Sequence, residues 1–413
     1  MKNKLIDFIN ETPTVFQCAE NISRMLRENG FIERQPGKGM LVPGGKYYTV
    51  FGGSAVVAFT LPVSGKITSL RVAAAHGDSP CFKLKPTPEL CVSGLTVLST
   101  EKYGGMIYSG WLDRPLGIAG RAVVRDGQSG LKSVSVRLDG TALIPNVAVH
   151  QSRNINSGYT YDPCKDMKAL WTGGTKPLYA RIAGAAGVKK EDILDFDLFL
   201  FNPEPGIVWG ERGEFVSAPR LDDLQCVYAA VRGFLSSEES EHVRMLCVFD
   251  NEETGSASCA GADSPLLAET VREIAEAFSV SYLSLIQNGR LLSADNAHAL
   301  HPNHPELSDA EDRPVLNGGI VIKYNASQKY MTNAEGAAEI KLLCERESIR
   351  YQCFTNRSDL PGGSTLGSLS STQIPLTGAD VGIAQLAMHS CYETAGAEDT
   401  AHMIRLMEAF YKY

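Results

Sequence analysis

Residues Val243–Ser256 read VRMLCVFDNEETGS: a run with the character of a buried strand, followed at once by Asp250, Glu252 and Glu253. Carboxylates crowded at the end of a core strand lose hydration, repel one another and tend to neutralise by taking up protons. A cationic partner relieves all three costs. The alternative is a chain that simply leaves the sheet, with Asp and Glu as solvated loop residues or caps of a following helix.

Other strand ends in the chain repeat the pattern. The apolar run of LRVAAAHGDSP delivers His76 and Asp78, APRLDDLQ carries Asp222 and Asp223 before a helical pattern, LLSADNAH carries Asp295, and QLAMHSCYE carries His389. Ligands of α/β sheets gather at the carboxyl ends of strands. Taken singly, Asp222 or Asp223 reads equally well as a helix cap and His389 as a core histidine. Together, His and carboxylates recurring at strand ends are what a metal site requires. Asp222, Glu253 and Asp295 bring three negative charges, which two divalent ions and a hydroxide carry close to neutrality. Adjacent residues of an extended segment point in opposite directions, so Glu252 and Glu253 cannot serve one ion alike. One is then free to act as a general base while the other ligates.

The surrounding sequence fits this reading. Helical and strand patterns alternate from Leu221 to the C-terminus, and TPTVFQCAENISRMLRENG is an amphipathic helix near the N-terminus. Between about residues 80 and 215 the texture is instead alternating, as in RAVVRDG and SVSVRLDG, with Asp-Gly turns. The expected architecture is a layered α/β catalytic domain, residues 1–80 plus 216–413, interrupted by a β-rich insert, residues 81–215.

Composition narrows the class of function. The 413 residues, 44% hydrophobic with a formal net charge of -8, fit a globular protein and not a nucleic-acid binder. No apolar run reaches the length of a membrane span and no signal-peptide core forms at the start, so a cytoplasmic protein with small-molecule or peptide partners is expected. The 10 cysteines lack any C-x-x-C pair and read as reduced, packed thiols. There is no G-x-S-x-G, H-E-x-x-H or phosphate-loop motif, and GGSTLGS has glycines without the needed lysine. The histidines of HALHPNHPE (His298, His301, His304) read as a loop feature.

In order along the chain, AHGDSP, PRLDDL, DNEETGS, SADNAHALHPNHPE, VIKYN and QLAMHS resemble the aspartyl aminopeptidase family of two-zinc metallopeptidases. The resemblance implies His76, Asp222 and Asp295 on one zinc, Asp222 bridging to a second zinc held by Glu253 and His389, Glu252 as general base, and Asp78 orienting His76. Cobalt or manganese can substitute at such His and carboxylate ligands. It further implies that Lys323 of VIKYN receives an acidic substrate side chain, so that peptides with a free N-terminal Asp or Glu are cleaved. The insert becomes a dimerisation domain whose His150, in VAVHQSRN, enters the partner's site, and dimers assemble into a tetrahedral dodecamer. Gly77 and Asp223 stand where the family often has Thr and Asn, and Asp223 adds a carboxylate beside the bridging position. Two alternatives accompany this reading: an aminopeptidase of neutral or broad specificity, and a catalytically silent metal-bound assembly protein.

Overall fold

The computed structural model describes residues 2–128, 130–172 and 177–413. Among them, strands form one 13-stranded mixed sheet and one six-stranded antiparallel sheet. At the centre of the large sheet Val243–Phe249, Leu70–His76, Arg290–Ala294 and Thr377–Leu386 run parallel, with Phe249 opposite His76 and Ala294 opposite Val381. This register brings the segments that follow all these strands to one edge of the sheet.

Both faces of the central strands are covered, which is why their sequences are nearly continuous apolar runs. Side chains alternate as a pleated strand demands. Val56, Ala58, Ala73, Ala75, Leu246 and Val248 face the layer containing the helices Val15–Glu28, Leu221–Ser236 and Asp399–Lys412. Val57, Phe59, Val72, Ala74, Met245 and Cys247 face the helices Leu266–Ala277, Tyr282–Asn288 and Leu366–Gln373. The result is a helix–sheet–helix sandwich. The helices Leu221–Ser236 and Asp399–Lys412 cross so closely that a Cβ on Gly233 would meet Met407 Cβ at 2.3 Å.

The six-stranded sheet has its own core around Phe82, Trp111, Ile118, Trp171 and Leu198. Its strands run from Cys81 to Phe201, whereas Ile207–Trp209 pairs with Phe215–Ala218 in the large sheet. Strand pairing therefore returns the chain to the large sheet between Phe201 and Ile207, ahead of the 215/216 division expected from sequence texture. The texture misleads because Ile207–Trp209 is a short, partly exposed hairpin strand that alternates like the insert's own. All ten cysteines are free thiols. No helix among the described residues is long and apolar enough to cross a membrane.

Candidate metal centre

His76 ends its strand fully enclosed, with Nε2 3.6 Å from Asp222 Oδ1 and 3.8 Å from Asp295 Oδ1. The other oxygen of Asp222, Oδ2, lies 3.5 Å from Nε2 of His389, which is itself 3.3 Å from Glu253 Oε2. Asp222 thus stands between two clusters, one with His76 and Asp295, the other with Glu253 and His389. Ligand atoms within each cluster lie within 4.8 Å of one another, and so do those of a third grouping, His76 with Glu252 and Glu253.

The local backbone explains the aim of these side chains. Asp222 and Asp223, joined by a cis peptide, precede the regular helix in non-helical conformations. Arg220, Asn251 and His389 all have φ near +60°, the left-handed region that costs a non-glycine residue free energy and is tolerated where the surroundings enforce it. Glu393 does part of the enforcing. Its buried carboxylate, 171 residues from Asp222 in sequence, accepts the Asp222 N–H at 3.0 Å and the His389 N–H at 2.7 Å and so ties the two loops together. Sequence reasoning passed over Glu393, whose only signal is an acidic residue in a buried strand beginning just after His389.

The Asp78 carboxylate accepts the Glu252 and Glu253 N–H groups at 3.2 and 3.1 Å, its backbone carbonyl lies 3.1 Å from Nδ1 of His76, and its Oδ1 lies 3.4 Å from the same nitrogen. It therefore fixes both the imidazole and the turn that presents the two glutamates. Such outer partners of a ligating histidine set its tautomer and orientation.

The charge balance shows what the cluster wants. Burial, then repulsion from Asp222 and Glu252, holds the Glu253 carboxyl well above the usual carboxylate range despite the opposing pull of His76. Burial and the neighbouring Asp295, Asp78 and Asp222 push Glu252 up to about 8, against the same pull of His76. Burial disfavours the His76 imidazolium, yet hydrogen bonds to Asp222, Asp295 and Asp78 carry it well above its ordinary value. Added positive charge at the cluster would relieve these shifts. Asp222 Oδ1, Asp223 Oδ1 and Glu253 Oε1 are buried with no hydrogen-bond partner. Orphaned oxygens in a set of imidazoles and carboxylates fit borderline divalent ions such as zinc.

The remaining sequence candidates divide. Lys323 is buried beside the centre, and its ammonium donates to Asp295 O at 2.8 Å, Asp295 Oδ2 at 3.1 Å and Asn296 O at 3.0 Å. His150 lies apart from the ligand clusters, in an exposed turn of the insert. His298 is exposed at its surface, and desolvation, then the Lys323 ammonium, push its imidazolium down. Asp223 accepts the His76 N–H at 3.3 Å, and at Gly77 a side chain would meet Cys18 Sγ at 3.1 Å, so the cysteine occupies that space. A cavity of about 260 Å³ lies between the two sheets with Asp78, Tyr103, Asp222 and Asp250 in its wall. Glu252, Glu253, His389 and Lys323 are not among the residues of its wall.

The profile of the family described as "Aminopeptidase I zinc metalloprotease (M18)" matches residues 8–411. The chain belongs to this family. It is 38% identical over 426 residues to the probable M18 family aminopeptidase 2 of Clostridium acetobutylicum, covering 99% of this chain and 98% of that one. The fold superposes on yeast aminopeptidase 1 with a TM-score of 0.88 at 27% identity, covering 99% of this chain and 96% of that one. The S. cerevisiae mApe1 dodecamer gives 0.87 at 28% identity with the same coverages. The M18 chain described here is accordingly a zinc-dependent aminopeptidase with an α/β fold.

Proposed function

We propose that this M18 aminopeptidase works with two zinc ions per chain, uses Glu252 as its general base and prefers acidic N-terminal residues. One observation carries the reading: the two oxygens of Asp222 face two different histidines, His76 and His389, each with its own additional carboxylate. Asp222, His76 and Asp295 would hold one ion, and Asp222, Glu253 and His389 the other.

Bound zinc supplies a Lewis acid and an acidified water. The protein's own contribution is positional. Asp78, through the N–H groups of Glu252 and Glu253, presents one glutamate to the ligand cluster and leaves its neighbour to take the water's proton and return it to the departing amine. Metal charge would draw the Glu252 carboxyl down from its elevated range and ready it as a base. The free amino group of the substrate finds an acidic surround in the carboxylates of the centre.

Acidic preference is supported by Lys323, whose ammonium is a buried cation next to the centre. A second reading of that residue is favoured by its contacts: all three ammonium protons have acceptors on Asp295 and Asn296. In that reading Lys323 orients a zinc ligand, and specificity is neutral or broad. The inserted sheet is proposed as a dimerisation domain, with the exposed turn carrying His150 entering the partner's site, and the dodecameric assembly named for the S. cerevisiae relative is proposed for this chain as well.

The test is stepwise restoration of zinc to chelator-stripped protein, assayed on peptides beginning with Asp, Glu, Leu or Ala and on their N-acetylated forms. Turnover should require the second equivalent, favour Asp and Glu, and vanish on acetylation. Full activity at one equivalent would overturn the two-metal reading.

A further inference from the structure

A short stretch of the insert, Tyr103–Ile107, leaves the end of the strand Leu95–Tyr103 and lies against the metal centre. The Tyr103 hydroxyl donates to Asp78 Oδ2 at 2.7 Å and accepts from Asn251 Nδ2 at 2.9 Å. Gly104, at φ +74°, lies so close to Glu253 that a Cβ there would sit 3.0 Å from Glu253 Cβ and 3.1 Å from its carbonyl oxygen. The Gly105 backbone lies beside the His389 imidazole, whose Nε2 faces Asp222 and Glu253. The Ile107 N–H then donates to the His389 carbonyl at 3.0 Å. Four successive contacts fall on the residues that support or form the ligand set, although the insert folds around a separate core.

We infer that Tyr103–Ile107 is the positioning element of the metal centre: Tyr103 fixes Asp78 and through it His76, while Gly104 and Gly105 fix Glu253 and His389. This rests on the ligand assignment above. The chemistry is that of outer-sphere support. A ligating imidazole is aimed by what its other nitrogen bonds, and a carboxylate by its neighbours, and losing such a partner typically weakens metal binding about 10- to 100-fold. Tyr103 contributes through its hydroxyl, since its ring is packed edge-on against Phe199 of the insert whether or not the oxygen is present. Gly104 contributes by having no side chain where Glu253 must pass. A consequence is that movement of the insert relative to the large sheet is felt at the metals.

The experiment compares wild type, Tyr103→Phe, Gly104→Ala and Arg121→Gln. Arg121 also belongs to the interface between the two sheets, bonding Asp197 at 3.0 Å and Gly52 O at 2.6 Å, but it touches no ligand. Zinc affinities of both sites are measured by chelator competition, and the cobalt-loaded proteins are examined by absorption spectroscopy. Tyr103→Phe should weaken one site about 10-fold or more and alter its cobalt bands, with melting temperature near wild type. Gly104→Ala should weaken the Glu253 and His389 site more than the other. Arg121→Gln should lower the melting temperature while leaving both affinities unchanged. Should Gly104→Ala fail to fold, Tyr103→Phe alone decides. Wild-type affinities in Tyr103→Phe, or equal weakening in Arg121→Gln, would overturn the inference. A wild-type protein that binds a single ion would instead overturn the ligand assignment, which the same titration reads separately.

Discussion

Replacing Glu252 by Gln separates a base from a ligand, and the structure sets two magnitudes for the effect. In the zinc-loaded enzyme the amide keeps the shape and the Asp78 contact through the backbone N–H, so both metals should stay bound. Loss of the base should slow kcat about 100- to 10,000-fold, equivalent to about 3–5 kcal/mol in the barrier. In the metal-free protein the same change should stabilise. The Glu252 carboxyl, ordinarily near 4.5, is pushed to about 8 by burial and by Asp295, Asp78 and Asp222, with His76 opposing. Its folded value lies above its unfolded one, so its contribution is fully present below about 4.5 and is lost as pH rises toward 8. At pH 7 the loss amounts to about 3 kcal/mol before screening of a partly accessible side chain roughly halves it. For a chain of this length that is about 2 °C in melting temperature, absent at pH 4.5 and growing to pH 8. The assays are metal analysis, steady-state kinetics and melting curves of stripped protein across pH. Glu253→Gln, by contrast, should lose metal affinity first. If Glu252→Gln only lowered metal occupancy and regained normal turnover on reloading, the division between the two glutamates would be refuted.

Lys323→Met should reduce kcat/KM on acidic substrates at least about 10-fold more than on neutral ones if the ammonium binds substrate, each tenfold corresponding to about 1.4 kcal/mol. Equal loss, with weaker zinc binding, would assign it to Asp295. Zinc uptake by stripped protein should release protons near pH 7 and tighten as pH rises, because His76 and Glu253 hold protons there that the metal must displace; calorimetry in buffers of different ionisation enthalpy measures this, and pH-independent uptake would contradict it. Co-expression of His150→Ala with Glu252→Gln should restore roughly a quarter of wild-type activity if dimers form at random and His150 acts across an isologous interface; activity at the background of the two variants would remove that role. Gly233→Ala should destabilise by about 1–3 kcal/mol, because its Cβ would collide with Met407 between two packed helices. Its zinc affinities should remain those of wild type, and a protein as heat-stable as wild type would show that the helices part freely.

The sequence alone was enough for the layered α/β architecture and for the residues gathered at its strand ends. The physical reason is local: an apolar run such as VRMLCVF must be buried on both faces, and acidic residues placed directly after it have a function or an energetic penalty. The alternating texture after residue 80 likewise announced a second sheet. Other features depend on contacts between distant segments, which no window of sequence contains. The register opposing Phe249 to His76 brings the separate motifs to one edge, and Glu393 ties the Asp222 and His389 loops. Folding also commits the Lys323 ammonium to Asp295 and Asn296, and strand pairing, not texture, returns the chain to the large sheet before Ile207. Tyr103 and the glycines after it read in sequence as the end of a strand and a turn. Only packing of the insert against Asp78, Glu253 and His389 makes them part of the centre, because a hydroxyl's partner and the space denied to a Cβ are properties of the folded chain.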